Sequence, residues 1–179
     1  MPMLTEFLRD QFFTTAWFGL MAFVWFGWSQ ESPDQRWRVW LGAGSVLGIG
    51  IAVAFGILTA TNWDQPTALE GKYAWFGVLT VAEVVAAGVG CLLLSRRGAS
   101  RWMAWWVALV VAVHFLPLAL LLNDLGVAAV GLVQLAALAV VARRLRTTDA
   151  PSSRSAGPVM GATLLLSAAI GALLAVSGA

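Results

Sequence analysis

The sequence predicts an all-α integral membrane protein, a bundle of six transmembrane helices that forms one domain over residues 1–179. Hydrophobic residues make up 60% of the chain and charged residues only 11%, whereas soluble domains carry about 25% charged residues. The apolar residues are gathered in six stretches of about the 20 residues that cross a bilayer. These predicted spans lie at about residues 12–29, 39–61, 74–95, 102–122, 125–142 and 159–177.

The segments between the spans predict how the helices are connected. Residues 1–11 mix polar and apolar side chains and predict a short helix along the membrane interface. The first span lacks the basic segment and cleavage site of a signal peptide, so we expect it to be retained. Asn123-Asp124 is a very short connection and predicts an antiparallel hairpin of spans four and five. The polar segment 147–155 predicts a mobile linker, and the glycines and alanines of span six predict close helix packing.

The positions of the basic residues predict the orientation of the bundle. Of the 11 Lys and Arg residues, only Arg9 and Lys72 lie outside the first, third and fifth connections. Cytoplasmic loops are enriched in these residues, so the bias places those three connections in the cytoplasm and both termini outside. We therefore expect a multi-pass protein of the plasma (inner) membrane. Because topology accounts for the basic residues, we expect no nucleic-acid partner.

Glu83 is the first functional lead, because it lies within the apolar third span. A charged side chain there costs roughly 2.5–3.5 kcal/mol, so an acid needs a partner, a proton or a cavity. His114 of span four and Gln134 of span five lie at the same predicted depth, within about one helical turn. Pro117 interrupts the hydrogen bonding of the helix beside His114, and Gly90 predicts room on the face of Glu83. These residues predict a site at mid-membrane; a purely structural network joining three helices is the alternative.

A second polar group is predicted at the outer mouth of the bundle. Asn62, Trp63 and Asp64 follow span two, and Asp124 follows span four. If the mid-membrane site opens outward, these side chains line its entrance. The alternative is that they are solvated loop residues.

Tryptophan is abundant, with ten residues in the chain. Most lie near the predicted membrane interfaces, as is typical of multi-span proteins. Trp17 and Trp25 lie deeper and fall on one helical stripe with Met21 and Trp28, and further rings within the spans are Phe23, Phe55, Phe76 and Phe115. An aromatic-lined chamber is one interpretation, although two deep indoles do not establish it. The single cysteine excludes an intrachain disulfide, and with a single histidine we expect no metal site and no cofactor.

Two resemblances concern these same residues. Glu83 followed by His114-Phe115-Leu116-Pro117-Leu118-Ala119 resembles a pattern in small multi-span bacterial membrane proteins, which implies a shared fold. The size, span number, buried acid and aromatic content are similar to small integral-membrane terpene cyclases of meroterpenoid pathways. That resemblance implies an enzyme in which a carboxylic acid protonates an alkene or epoxide. Asn62-Trp63-Asp64 resembles the Asn, Trp and acid group of the fungal members, with Asp in place of Glu and a different spacing.

The sequence thus favours a membrane-embedded terpene cyclase that acts on a prenylated, lipophilic substrate within the lipid. Glu83 is the expected proton donor, with Asp64 or Asp124 as rivals. His114 or Gln134 would orient the acid or remove the final proton, and aromatic faces would stabilise the cation. The predicted substrate-binding side chains are Gln134, Trp17, Trp25, Phe115, Asn62 and Trp63.

The alternative hypothesis is a proton-coupled transporter of small lipophilic cations. The segment Ala82-Glu83-Val84 resembles the membrane glutamate of small multidrug resistance transporters. That resemblance implies that Glu83 alternately binds a proton and the cation. A non-catalytic lipid-binding protein is the third hypothesis. Each of the three expects a lipophilic small molecule or membrane lipids as partners.

Overall fold

Residues 7–177 are described in a computed structural model, and within that range the chain forms six long helices and no β-strand. The helices are α1 (Leu8–Ser29), α2 (Arg38–Thr61), α3 (Tyr73–Arg96), α4 (Met103–Leu122), α5 (Leu125–Leu145) and α6 (Ser153–Ser177). One turn of 3₁₀ helix leads into each of α2 and α4. All six helices are long and apolar enough to cross a membrane. The predicted all-α, six-span architecture is confirmed, and the orientation of the termini stays a prediction.

The first and last helices begin earlier than predicted. α1 starts at Leu8, so Arg9 and Asp10 belong to its first turn and not to a separate interfacial helix. Residues 1–6 of that predicted helix lie outside the described range. α6 starts at Ser153, so the prediction of a mobile linker over 147–155 is wrong for residues 153–155, which are helical.

Hydrogen bonds to two other connections hold the end of that segment. The Ser152 amide donates to the Arg101 carbonyl oxygen at 2.8 Å, and the Ser153 hydroxyl donates to Glu31 Oε2 at 2.7 Å. Both serines are buried. Their polarity suggested a solvated loop, but neighbouring groups satisfy it inside the protein.

α1 lies at the centre of one half of the bundle and packs against α2 and α6. It approaches α2 most closely at Gly19 and Gly48, where a Cβ on either glycine would lie 2.7 Å from the carbonyl oxygen of the other. On α6, Gly161 faces the ring of Phe26, 2.7 Å from the position of a Cβ. The predicted close packing of α6 through small residues is therefore confirmed.

The connection between α4 and α5 is the predicted tight hairpin. Asn123 adopts a left-handed conformation (φ 53°), which ends α4. Asp124 begins α5, where its Oδ1 accepts a hydrogen bond from the Gly126 amide at 2.8 Å. The two helices then pack side by side.

α3 is the most peripheral helix. It packs chiefly against α4, and none of the described residues of α3 is buried. The segment 62–72, which joins α2 to α3, crosses one end of the bundle; we call it the cap. Beneath the cap, the space between α1, α3 and α4 is left unfilled by the helices.

Candidate functional site

A chamber of about 380 Å³ occupies this space. α1 contributes Arg9, Phe13, Trp17, Met21 and Trp25, which recur every four residues and therefore share one face of the helix. The structure places Trp17, Met21 and Trp25 of the predicted stripe along the chamber wall. Trp28, the fourth member of the stripe, does not line the chamber, and neither do Phe23 and Phe55.

α3 and α4 form the opposite side of the chamber. α3 contributes side chains from Tyr73 to Glu83, spaced three or four residues apart, over a rise of about 15 Å. α4 contributes His114 and Phe115 at its middle. Leu164 of α6 also borders the chamber. A peripheral helix thus brings Glu83 to the edge of a cavity instead of into the core.

Glu83 and His114 meet across the α3–α4 interface. His114 Nδ1 lies 3.2 Å from Glu83 Oε2, and the two side chains are 9% and 22% exposed. The two atoms are close but not aligned as a hydrogen bond, and His114 Nδ1 has no other hydrogen-bond partner among the described residues. One proton can therefore reside on either partner, giving a carboxylic acid beside an imidazole or a carboxylate beside an imidazolium. Such a pair can donate a proton and recover it.

Eight aromatic rings contribute to the chamber wall. The eight are Phe13, Trp17, Phe18, Trp25, Trp63, Tyr73, Phe76 and Phe115. Phe18 packs on Phe115 with ring centroids 5.5 Å apart, and Phe13 stacks on Trp17 at 6.3 Å. The face of an aromatic ring attracts positive charge. The chamber therefore combines a proton-exchanging pair with surfaces suited to a cation.

Two charged residues of α1 fasten the cap over one end of the chamber. Arg9 donates to the Trp63 carbonyl oxygen and to the Tyr73 hydroxyl, each at 2.6 Å. Asp10 accepts hydrogen bonds from the Thr67 hydroxyl and the Ala68 amide, each at 2.7 Å. The sequence prediction missed this role because it placed both residues outside the first span. Two adjacent charges of opposite sign just before an apolar run were the available signal.

The predicted mid-membrane layer of three polar residues is only partly correct. Gln134 is fully buried beside α6, where its Nε2 donates to Thr163 Oγ1 at 2.9 Å. Its Oε1 has no hydrogen-bond partner within the described part of the chain. Gln134 does not line the chamber. Its depth matches that of Glu83, but the rotation of α5 turns the amide toward α6.

The predicted outer polar group is divided by the structure. Only Trp63 reaches the chamber wall, and Asp64 is exposed on the cap. Asn62 is half-buried, and its Nδ2 donates to the Leu58 carbonyl oxygen at 2.9 Å at the end of α2. The structure therefore keeps Asn62 and Asp64 away from the pair formed by Glu83 and His114.

Asp124 lies at a different cavity. It borders a space of about 310 Å³ between α1, α5 and α6. Burial raises the pKa of the Asp124 carboxyl, and hydrogen bonds from the Gly126 and Val127 amides act in the opposite direction. Since it is not part of the chamber wall, its direct role is to begin α5.

The room predicted beside Glu83 at Gly90 is already occupied. The Trp106 indole fills it, donating from Nε1 to the Ala86 carbonyl oxygen at 3.0 Å. A Cβ at Gly90 would overlap this ring. The free space next to Glu83 lies instead toward Thr80 and α1, within the chamber.

The described residues contain no group of three or more His, Cys, Asp or Glu side chains that could hold a metal ion. Comparison of the chain with protein-family models, with curated proteins and with solved structures gives no match. The chemistry that the described residues offer is that of a carboxyl–imidazole pair facing an aromatic cavity.

Proposed function

We propose that this protein is a terpene cyclase-like enzyme of the plasma (inner) membrane, which protonates a prenylated lipophilic substrate and starts its carbocation cyclisation. One observation carries the proposal: the Glu83–His114 pair, at 3.2 Å, opens onto a chamber whose wall includes eight aromatic rings. Cyclisation needs a protonated acid, an environment with little water and electron-rich surfaces near the cation. The chamber brings a carboxyl group and aromatic faces together in one cavity, and in the proposed reaction Glu83 is protonated when the substrate binds.

The first step is proton transfer from the Glu83 carboxyl to an alkene carbon. The O–H bond breaks, a C–H bond forms with the alkene π electrons, and the other alkene carbon becomes a cation. A second double bond of the prenyl chain then attacks this cation, closing a ring and moving the charge along the chain. Glu83 is left as a carboxylate.

The last step restores the acid. A carbon next to the final cation loses a proton to His114, and the electrons of that C–H bond form a new double bond. The imidazolium then returns the proton to Glu83, whose Oε2 is 3.2 Å from His114 Nδ1. The net reaction is an isomerisation that needs no cofactor, because the proton consumed in the first step is regained.

The aromatic rings stabilise the cation between these steps. A desolvated ring face contributes up to about 2 kcal/mol to a cation placed over it. Trp17 and Trp25 on α1 face Phe115 on α4 across the chamber. Several rings along one path can stabilise the charge in turn as it migrates.

The first prediction is that Glu83→Gln abolishes cyclisation, because an amide cannot donate the initiating proton. Purified protein in lipid nanodiscs is incubated in D2O with farnesylated and geranylgeranylated aromatic acceptors, and products are analysed by mass spectrometry. We expect a cyclised product carrying deuterium, and a loss of about 10²–10⁴-fold in its rate in Glu83→Gln.

The matched control is Asp64→Asn, which makes the same chemical change at an exposed acid away from the chamber. We expect it to keep the wild-type rate. Absence of any cyclised, deuterated product from every acceptor would reject the cyclase. Loss of activity in Asp64→Asn with full activity in Glu83→Gln would mean that Asp64 on the cap, and not Glu83, is the proton donor.

Proton-coupled transport of a lipophilic cation is the second candidate, since the same pair and rings could exchange a proton for a bound cation. It predicts proton-driven flux of a lipophilic cation in proteoliposomes, abolished by Glu83→Gln. Flux without cyclised product would favour the transporter, and product without flux the enzyme. The presence of neither would favour the lipid-binding protein.

A further inference from the structure

An apolar groove of about 340 Å³ lies on the outer side of α1 and α2, next to the chamber. It shares Phe13, Trp17 and Trp63 with the chamber wall. These three aromatic side chains are 43%, 46% and 57% exposed. The same rings therefore face the chamber on one side and the surroundings of the bundle on the other.

The partition between the two spaces includes a stack of two side chains. The rings of Phe13 and Trp17 lie nearly parallel, 8° apart, with centroids separated by 6.3 Å. Exposed side chains change rotamer within nanoseconds. This partition can thus open by side-chain rotation, without movement of a helix.

Other boundaries of the chamber are harder to open. The cap is fastened by Asp10, whose two carboxylate oxygens each accept a hydrogen bond at 2.7 Å. Asp10, Thr67 and Ala68 are all buried there. At the opposite end, Trp25 and Leu164 belong to the hydrophobic core. Opening either end would break buried contacts.

The groove suits a hydrocarbon chain. Its floor on α2 is formed by small residues four apart, Ala52, Gly56 and Ala60. The Thr59 hydroxyl, also in the lining, already donates to the Phe55 carbonyl oxygen at 2.8 Å. The groove therefore offers little to a charged group and much apolar surface to an alkyl or isoprenoid chain.

We propose that this groove is a lateral vestibule, through which the hydrocarbon chain of a membrane-dissolved isoprenoid reaches the chamber, and that Phe13 and Trp17 are its gate. The inference rests on the proposed function in taking the chamber to hold a lipophilic ligand. It adds that the substrate arrives from the lipid and not from water through the cap.

Gly56 permits a direct test, because a Cβ placed there meets no atom within 4 Å. Gly56→Trp should fill the groove without disturbing the helices. Gly50 is equally open, on the same helix, and lines neither the groove nor the chamber. Gly50→Trp is therefore the matched control.

The probe is a farnesyl alcohol carrying a diazirine, added to full-length protein in vesicles of palmitoyl-oleoyl phosphatidylcholine. Flash illumination at increasing times after mixing gives the initial rate at which two chamber residues are labelled, His114, whose side chain is 9% exposed, and Phe115, which is 3% exposed. We expect Gly56→Trp to lower this rate by about tenfold, as a blocked step before binding does. Gly50→Trp should match the wild type, and Phe13→Ala, which opens the gate, should label faster.

Equal labelling rates in Gly56→Trp and the wild type would overturn the vestibule and leave the proposed function standing. Absence of chamber labelling in the wild type would overturn both. Labelling that depends on Gly56 in a protein that yields no cyclised product would support the vestibule and reject the enzyme.

Discussion

At the scale of single residues, Glu83 and Gln134 show why equal depth in a membrane does not make a common site. Glu83 is within 3.2 Å of His114 Nδ1, whereas Gln134 bonds to Thr163 at a different interface. Residue counting along a span gives depth at 1.5 Å per residue. It gives no information on the direction in which a side chain points. That direction decides whether a polar group belongs to the chamber or to the core.

Gln134→Leu is predicted to leave the reaction intact. The substitution removes one interhelical hydrogen bond, worth about 0.6 kcal/mol on average in membranes. It also removes a buried amide oxygen that has no partner among the described residues, which relieves a desolvation cost of about 1–3 kcal/mol. We expect a thermal midpoint in detergent equal to or above that of the wild type, and an unchanged rate of deuterium incorporation.

Glu83→Gln, measured in parallel, should also keep a nearly unchanged midpoint but should lose deuterium incorporation. A loss of turnover in Gln134→Leu, at normal stability, would mean that Gln134 takes part in the reaction.

At the scale of elements, α3 carries the acid but has few contacts to hold it. It packs chiefly on α4, and the Trp106 indole is its most specific attachment, seated against Gly90 and bonded to the Ala86 carbonyl oxygen. Gly90 lies two turns of helix beyond Glu83. The indole therefore sets the distance between α3 and α4 close to the Glu83–His114 pair.

Gly90→Ala is predicted to loosen α3. The added Cβ would overlap the Trp106 ring, and overpacking of this kind costs about 1–3 kcal/mol. We expect faster amide hydrogen exchange in α3 and a slower cyclisation, because Glu83 moves away from His114.

Gly88→Ala is the matched control, since a Cβ at Gly88 meets nothing within 4 Å. In this variant the amide hydrogen exchange of α3 and the cyclisation rate should equal those of the wild type. Identical hydrogen exchange in the two variants would mean that Trp106 does not hold α3 in place.

At the scale of the whole molecule, six helices that each cross the membrane would put residues 7 and 177 on the same side. The connections after α1, α3 and α5 would share the other side, and together with the helix ends that adjoin them they carry nine basic residues, the 11 of the chain less Arg9 and Lys72. The positive-inside rule then predicts that the cap and the chamber end beneath it face outward. The chamber extends from the cap, at Arg9, to Trp25 near the other end of α1.

The orientation can be tested with fusions expressed in a bacterial cell. We expect alkaline phosphatase, which is active only outside the cytoplasm, to be active when fused after Ala179. The same enzyme fused within residues 147–150 should be inactive, because that connection is predicted to be cytoplasmic. The reverse pattern would mean that the bundle has the opposite orientation, with the cap on the cytoplasmic side.

The sequence alone determined the number of helices, the tight α4–α5 hairpin and the presence of an acid within a span. These follow from length and polarity. A span needs about 20 apolar residues, and a carboxyl group within a span is recognisable because burying it there is energetically costly. Trp17 and Trp25 were also recognisable as deep residues on one stripe, and both line the chamber.

Only the tertiary structure decided which of the candidate residues meet. The rotation of each helix turned Glu83 toward His114 and Gln134 toward Thr163, and the longer α1 brought Arg9 and Asp10 onto the cap. Rotation is set by the packing of neighbouring side chains, such as Trp106 against Gly90, and these contacts join residues distant in sequence. Depth is a property of one helix, whereas a site is a property of several helices packed together.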